Sequence, residues 1–161
     1  MSNNLAECVL LRSFKSRYVA SCSHLTLLLA VAALAGRVTL TPASAQNLPT
    51  GGSVAAGSVV INQPSANQLN ITQSSQSAVV NWLGFSIGAG SSVNFTQPNA
   101  SSAILNRVTG NAPSTIAGSL TANGQVYLVN PNGIAITGSG VVNTAGFVAS
   151  TLGIGDGDFM S

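Results

Sequence analysis

Short runs of apolar residues at a two-residue spacing follow one another along most of the chain, each closed by Gly, Asn, Ser or Pro. They fall at 59–61, 69–72, 79–83, 85–87, 93–96, 104–108, 116–120, 126–129, 134–137, 141–143 and 147–150. In the clearest of them Val126 and Leu128 share one face, and Ile134 and Ile136 resume the same period beyond Asn130-Pro131-Asn132-Gly133. Proline presets φ at the second position of such a corner, Asn132 tolerates a positive φ, and Gly133 relaxes the exit. The unit is strand, corner, strand, with no room for a helix. No segment joins a helical apolar period to helix caps, so the expected class is all-β.

Many short strands with polar turns fit a sandwich, a barrel or a parallel solenoid. An antiparallel sandwich shows a solvated face rich in Lys, Glu and Arg. Here the outward positions are Ser, Thr, Asn and Gln, which stack in ladders between successive coils. The pattern therefore predicts a right-handed, single-stranded parallel β-helix, a pectin-lyase-like solenoid whose first residues form an N-terminal cap. With roughly 20 to 25 residues per coil, 46–161 would give about five coils and a rod of about 24 Å. One internal echo stands out: Ser58-Val59-Val60-Ile61-Asn62-Gln63-Pro64 returns 34 residues later as Ser92-Val93-Asn94-Phe95-Thr96-Gln97-Pro98. A helical repeat of that period is discarded because neither copy has helical patterning. The last residues, Asp158-Phe159-Met160-Ser161, supply no polar capping helix or turn cluster, which predicts a longer natural chain or a truncated product.

Charge changes the reading of the first 45 residues. Arg12, Lys15, Arg17 and Arg37 lie there, around an apolar run from 25 to 35, followed by Ala43-Ser44-Ala45. That order predicts a long secretory signal over 1–45, cleaved before Gln46 and engaging the inner-membrane export machinery. The run is short of the roughly 20 residues a membrane span needs. Both cysteines, Cys8 and Cys22, and the single histidine, His24, leave with the signal. The exported part then has no disulfide, and its charges are Arg107, Asp156 and Asp158, a formal net of minus one. The basic pI belongs to the targeting segment, so nucleic acid is not an expected partner. Low charge with much Asn, Gln, Ser, Thr and Gly could signal disorder, but Val, Ile, Leu and Phe recur too regularly for that.

The same scarcity weighs against enzymes. A β-helical carbohydrate-active enzyme needs clustered carboxylates or a basic residue that abstracts a proton, and only two acids and one arginine remain after export. Serines without a histidine cannot form a hydrolytic triad. Asp156-Gly157-Asp158 has too few carboxylates for a calcium loop and reads as a turn with solvated aspartates. Neither a cofactor nor a metal is expected. Arg107 carries two readings: its donors satisfy turn carbonyls near a corner, or it contacts a partner. Trp82 and Phe85 read as core or cap packing ahead of a sugar-stacking platform.

Several motifs, in order, resemble the N-terminal secretion domain of the two-partner secretion exoproteins, the filamentous haemagglutinin family of Gram-negative bacteria. They are Ile71-Thr72-Gln73-Ser74-Ser75, Val80-Asn81-Trp82 with Phe85-Ser86-Ile87-Gly88, Val93-Asn94-Phe95-Thr96-Gln97-Pro98 and Leu105-Asn106-Arg107-Val108-Thr109-Gly110. Ser114-Thr115-Ile116-Ala117-Gly118, Asn123-Gly124-Gln125-Val126, the corner from Asn130 to Ile134, and Val148-Ala149-Ser150-Thr151 complete the series. The resemblance covers roughly residues 50 to 155. It implies a β-helical domain, non-enzymatic, that passes from the periplasm through an outer-membrane transporter with POTRA domains. It also implies a host-cell or neighbouring-cell surface as the target of a missing C-terminal stalk used for adhesion, haemolysis, contact-dependent inhibition or haem capture. The residues expected to serve recognition or fold nucleation are Asn106, Arg107, Asn123, Gly124, Asn130, Pro131, Asn132 and Gly133, with Trp82 and Phe85 as aromatic cap or core. A stand-alone surface adhesin of the same fold is the alternative.

Overall fold

The computed structural model describes residues 48–161; the expected signal at 1–45 lies outside the described residues. The strands are β1 (Ser53–Ala56), β2 (Val59–Ser65), β3 (Gln68–Gln73), β4 (Ser77–Trp82), β5 (Ser92–Thr96) and β6 (Ala103–Val108), followed by β7 (Ser114–Ile116), β8 (Ser119–Ala122), β9 (Gln125–Val129), β10 (Ile134–Ile136), β11 (Val141–Asn143) and β12 (Gly146–Ser150). One helical turn, α1 (Asp156–Met160), closes the described chain. The run expected at 116–120 is divided, because Ala117 and Gly118 make a corner between β7 and β8.

These strands wind into a three-sided β-solenoid. One face stacks β4-β6-β9-β12 in parallel, the second stacks β3-β5-β8-β11, and the third pairs β7 with β10 and bridges Ile87 to Ile116. Between 20 and 29 residues separate partners in neighbouring coils, from Ile134 over Ser114 to Ile116 over Ile87. Four coils form instead of the expected five, because the first strands do not wind. β1 pairs antiparallel with β4 and β2 antiparallel with β3, covering the N-terminal end as the expected cap. The 34-residue echo is corrected by the same register. Val59–Ser65 is the cap strand, and the segment stacked under β5 is β3, so that Leu69-Asn70-Ile71-Thr72-Gln73 is repeated 24 residues later by Val93-Asn94-Phe95-Thr96-Gln97.

Parallel in-register stacking converts alternation along a strand into columns along the axis. Leu69, Val93, Leu120 and Val142 form one inward column, and Ala78, Ile104, Val126 and Phe147 another. Burying each such side chain contributes about 1.5–3 kcal/mol. Polar columns run outside: Asn94 Nδ2 donates to Asn70 Oδ1 at 3.2 Å, and Thr121 Oγ1 to Asn94 Oδ1 at 2.6 Å.

Gln73 and Gln97 make a second ladder, inside the corner, with both side chains buried. Gln97 Nε2 donates to Gln73 Oε1 at 3.1 Å and to the Ser102 carbonyl at 3.0 Å, while Gln73 Nε2 reaches the Ser75 and Ala103 carbonyls. Continued by one coil, this column arrives at Gly124. A Cβ there would lie 2.6 Å from Gln97 Oε1 and 2.8 Å from the Ser102 carbonyl, so the ladder ends on a residue with no side chain. Gly124→Ala is expected to lose about 1–3 kcal/mol, the cost of overfilling a packed site, read as a lower urea midpoint with an unchanged slope.

Candidate functional site

The residues singled out by sequence do not converge on one pocket; they divide among the interior, two corners and one outer face. Inside, Asn106 takes a place in the column Val80, Asn106, Leu128, Ala149 that is otherwise apolar. It is fully buried. Its amide is satisfied because Trp82 Nε1 donates to Oδ1 at 3.0 Å and Nδ2 donates to the Tyr127 carbonyl at 3.3 Å. An unsatisfied buried amide costs about 1–3 kcal/mol, so Trp82 and Asn106 depend on each other. Phe85 meets Trp82 edge-on, with ring centroids 5.7 Å apart and planes at 81°. Both rings are buried in the core, which leaves no aromatic face for stacking on a sugar.

At the corner between β8 and β9, exposed Asn123 substitutes for a strand neighbour. Its Oδ1 accepts from the Gln97 amide and its Nδ2 donates to the Gln97 carbonyl, each at 2.7 Å. Asn123 and Gly124 thus both act on Gln97, one through its backbone and the other by leaving room for its side chain.

The corner between β9 and β10 is the most heavily bonded. Asn130 is fully buried; its Oδ1 accepts from the Asn132 amide at 2.9 Å, an Asx turn, and its carbonyl accepts from the Gly133 amide at 3.1 Å. Its Nδ2 reaches the coil below, donating to the Ala112 carbonyl at 3.0 Å and to Ser114 Oγ at 2.9 Å. Asn132 Nδ2 donates to the Gly110 carbonyl at 2.8 Å. Gly133 sits at φ 106°, where glycine is favoured, with open space around its Cα. Pro131 and Asn132 are exposed on the outer side of the turn.

Arg107 is the last residue but one of β6, close to the corner that follows, and faces outward on the sheet opposite to its buried neighbour Asn106. Its Nη2 donates to the Ile154 carbonyl at 2.6 Å and forms an ion pair with Asp156 Oδ1, also at 2.6 Å. The carbonyl is met, but it belongs to the segment after β12. Asp156 and Asp158 lie in the single helical turn α1; Asp158 is exposed, as expected, whereas Asp156 is engaged by Arg107.

Sequence reasoning missed Gln73 and Gln97 as a stacked pair, Ser114 as the partner of Asn130, and Asp156 as the partner of Arg107. For the glutamines a signal was present: apolar-Asn-apolar-Thr-Gln recurs 24 residues apart. For Arg107 and Asp156 opposite charge was the only clue.

A parallel β-solenoid capped by antiparallel strands, with its repeated motifs placed at corners and in the core, defines a structural module of the parallel β-helix class. The TPS secretion domain family matches residues 45–161, and the chain belongs to it. A heme/hemopexin-binding protein of Haemophilus influenzae is 45% identical over 111 residues, covering 69% of this chain and 12% of its own length. A second H. influenzae protein of that name is 42% identical over 109 residues, covering 68% and 12%. The crystal structure of the HMW1 secretion domain from H. influenzae matches with a TM-score of 0.66 at 41% identity, over 70% of this chain and 30% of that one. The chain spans 12% of the length of these curated relatives.

Asn130→Ala removes the donors to Ala112 and Ser114 and the acceptor for Asn132 at once, so it is expected to cost on the order of 3 kcal/mol. Asn132→Ala gives up the bonds of its exposed Nδ2 to the Gly110 carbonyl and to Asn130 Oδ1 and should cost about 1 kcal/mol. Pro131→Ala, exposed on the turn, should cost no more than about 1 kcal/mol. Urea unfolding of the three variants checks the order.

Proposed function

We propose that this chain is a non-enzymatic secretion and targeting module of a larger exported adhesin- or haemagglutinin-like exoprotein. In this reading residues 1–45 direct it across the inner membrane and are removed before Gln46, and a POTRA-bearing outer-membrane transporter then recognises the chain in extended form. Strand addition is the recognition mode, since an unwound coil offers free backbone donors and acceptors. Outside the cell the module winds first and the remainder follows coil by coil.

The observation that carries this reading is the burial of three of the motif residues. Asn106, Gly124 and Asn130 lie inside the folded solenoid. A partner cannot touch them there, so their roles are to be read before winding or to direct the winding itself. Arg107 and Asp156 engage each other, so two of the three charged groups of residues 46–161 are used in an intramolecular contact. Membership of the TPS secretion domain family supports transport as the task and the cell exterior as the destination. The names of the two heme/hemopexin-binding relatives favour haem-protein capture as the end activity of the exoprotein, carried outside the region shared with this chain.

The test expresses residues 1–161 with and without a cognate transporter and compares culture medium with periplasm. Transporter-dependent appearance in the medium is the expected result; a folded β-rich product retained in the periplasm despite the transporter overturns the assignment. An Asn130→Ala/Asn132→Ala variant, with refolding followed separately, divides the motif's roles. Loss of secretion together with slow refolding assigns it to winding, and loss of secretion alone assigns it to recognition.

A further inference from the structure

The ion pair of Arg107 and Asp156 joins two parts of the chain that the solenoid winding does not bring together. Among the described residues β12 is the last strand of its face, and it pairs with β9. After Ser150 the chain doubles back over the outer surface of that same face. Ile154 and Asp156 reach Arg107 on β6, Phe159 meets Tyr127 of β9 edge-on with centroids 5.2 Å apart and planes at 77°, and α1 lies against β4. In the order β4-β6-β9-β12, the segment starts at the last strand and is anchored on the three before it.

The surface beneath is apolar although it faces away from the core. Val79, Leu105 and Val129 are buried there, with Ala56, Tyr127 and Phe159 packed against them. The guanidinium is held on several sides: Ile154, Asp156 and, at 3.5 Å, Asn81 Oδ1. An isolated surface ion pair contributes little, but one attached to a charge-assisted carbonyl bond and a hydrophobic contact ties down a segment.

We propose that residues 151–160 form a strap that locks the wound solenoid. β12 cannot peel from β9 without drawing the strap off β6, so opening at β12 must first break the Arg107–Asp156 pair and the Tyr127–Phe159 contact. The anchors lie 47 residues apart for Ile154 and Arg107, with two further coils between them, so the strap closes only after β9 and β12 have docked. It is a positioning device that marks the docking of β12 on β9 and resists its reversal, and it holds whether or not the transporter reading above is right.

The test measures unfolding of the full 161-residue chain in urea through Trp82, its single tryptophan, for Arg107→Gln, Asp156→Asn, their double variant and Phe159→Ala, with Asp158→Asn as control. Hydrogen exchange of the same proteins is followed in β12 and in β3. Each strap variant is expected to unfold about threefold to tenfold faster, because the broken contacts form late. The double variant should be no faster than the faster single, β12 amides should lose protection while β3 amides keep theirs, and Asp158→Asn should be silent. Unchanged rates, additive effects in the double variant, or equal loss of protection in β3 and β12 overturn the proposal. If Arg107→Gln does not fold, Asp156→Asn and Phe159→Ala decide it from the strap side: faster β12 exchange supports the lock and unchanged exchange overturns it.

Discussion

Hydrogen bonding between coils runs along the axis of this solenoid, and the rest of the structure follows from that one constraint. A strand in parallel register places each side chain above a counterpart of the previous coil, at the inter-strand spacing of about 4.8 Å. Like charges in such a column would repel along its whole length, whereas neutral amides and hydroxyls donate and accept in the same direction. The column Asn70, Asn94, Thr121 and the buried pair Gln73, Gln97 are the two outcomes, one in solvent and one inside a corner. The absence of Lys and Glu from residues 46–161 is the sequence record of this geometry.

Corners pose the complementary problem, because a turn leaves backbone groups without a ladder partner. Asparagine solves it repeatedly here by placing an amide where a peptide would be. Asn123 pairs with both backbone groups of Gln97, and Asn130 bonds within its own turn while reaching Ala112 and Ser114 in the coil below. These contacts join coils through side chains at the points where strands cannot. A motif that resembles a recognition signal is therefore first a structural one, and winding and export would act on the same residues.

Apolar layers and polar corners set the stability of neighbouring coils jointly, as in other stacked repeats. The two ends differ. Antiparallel β1 and β2 close the first, while at the other Ile134, Val142 and Phe147 are only partly buried against the core. The segment that follows β12 lies on the side of the solenoid, over an outward apolar row, with the charges of Arg107 and Asp156 spent on holding it there.

The sequence by itself determined the strand class, the corner at Asn130 to Gly133, the N-terminal cap, the solenoid architecture and the core character of Trp82 and Phe85. Each rests on local signals: a two-residue apolar period, turn chemistry at adjacent positions, and a composition that excludes a charged face. Tertiary structure alone decided the register. The echo at 58–64 looked like a coil repeat, yet it is an antiparallel cap strand, because similar residues fit a cap edge and a wound strand equally well. It also decided that Asn106 points inward to Trp82 while Arg107, one residue later, points outward to Asp156. Trp82 with Asn106 and Arg107 with Asp156, 24 and 49 positions apart, are unlike residues with no repeat to mark them, since winding, not sequence neighbourhood, brings them within bonding distance.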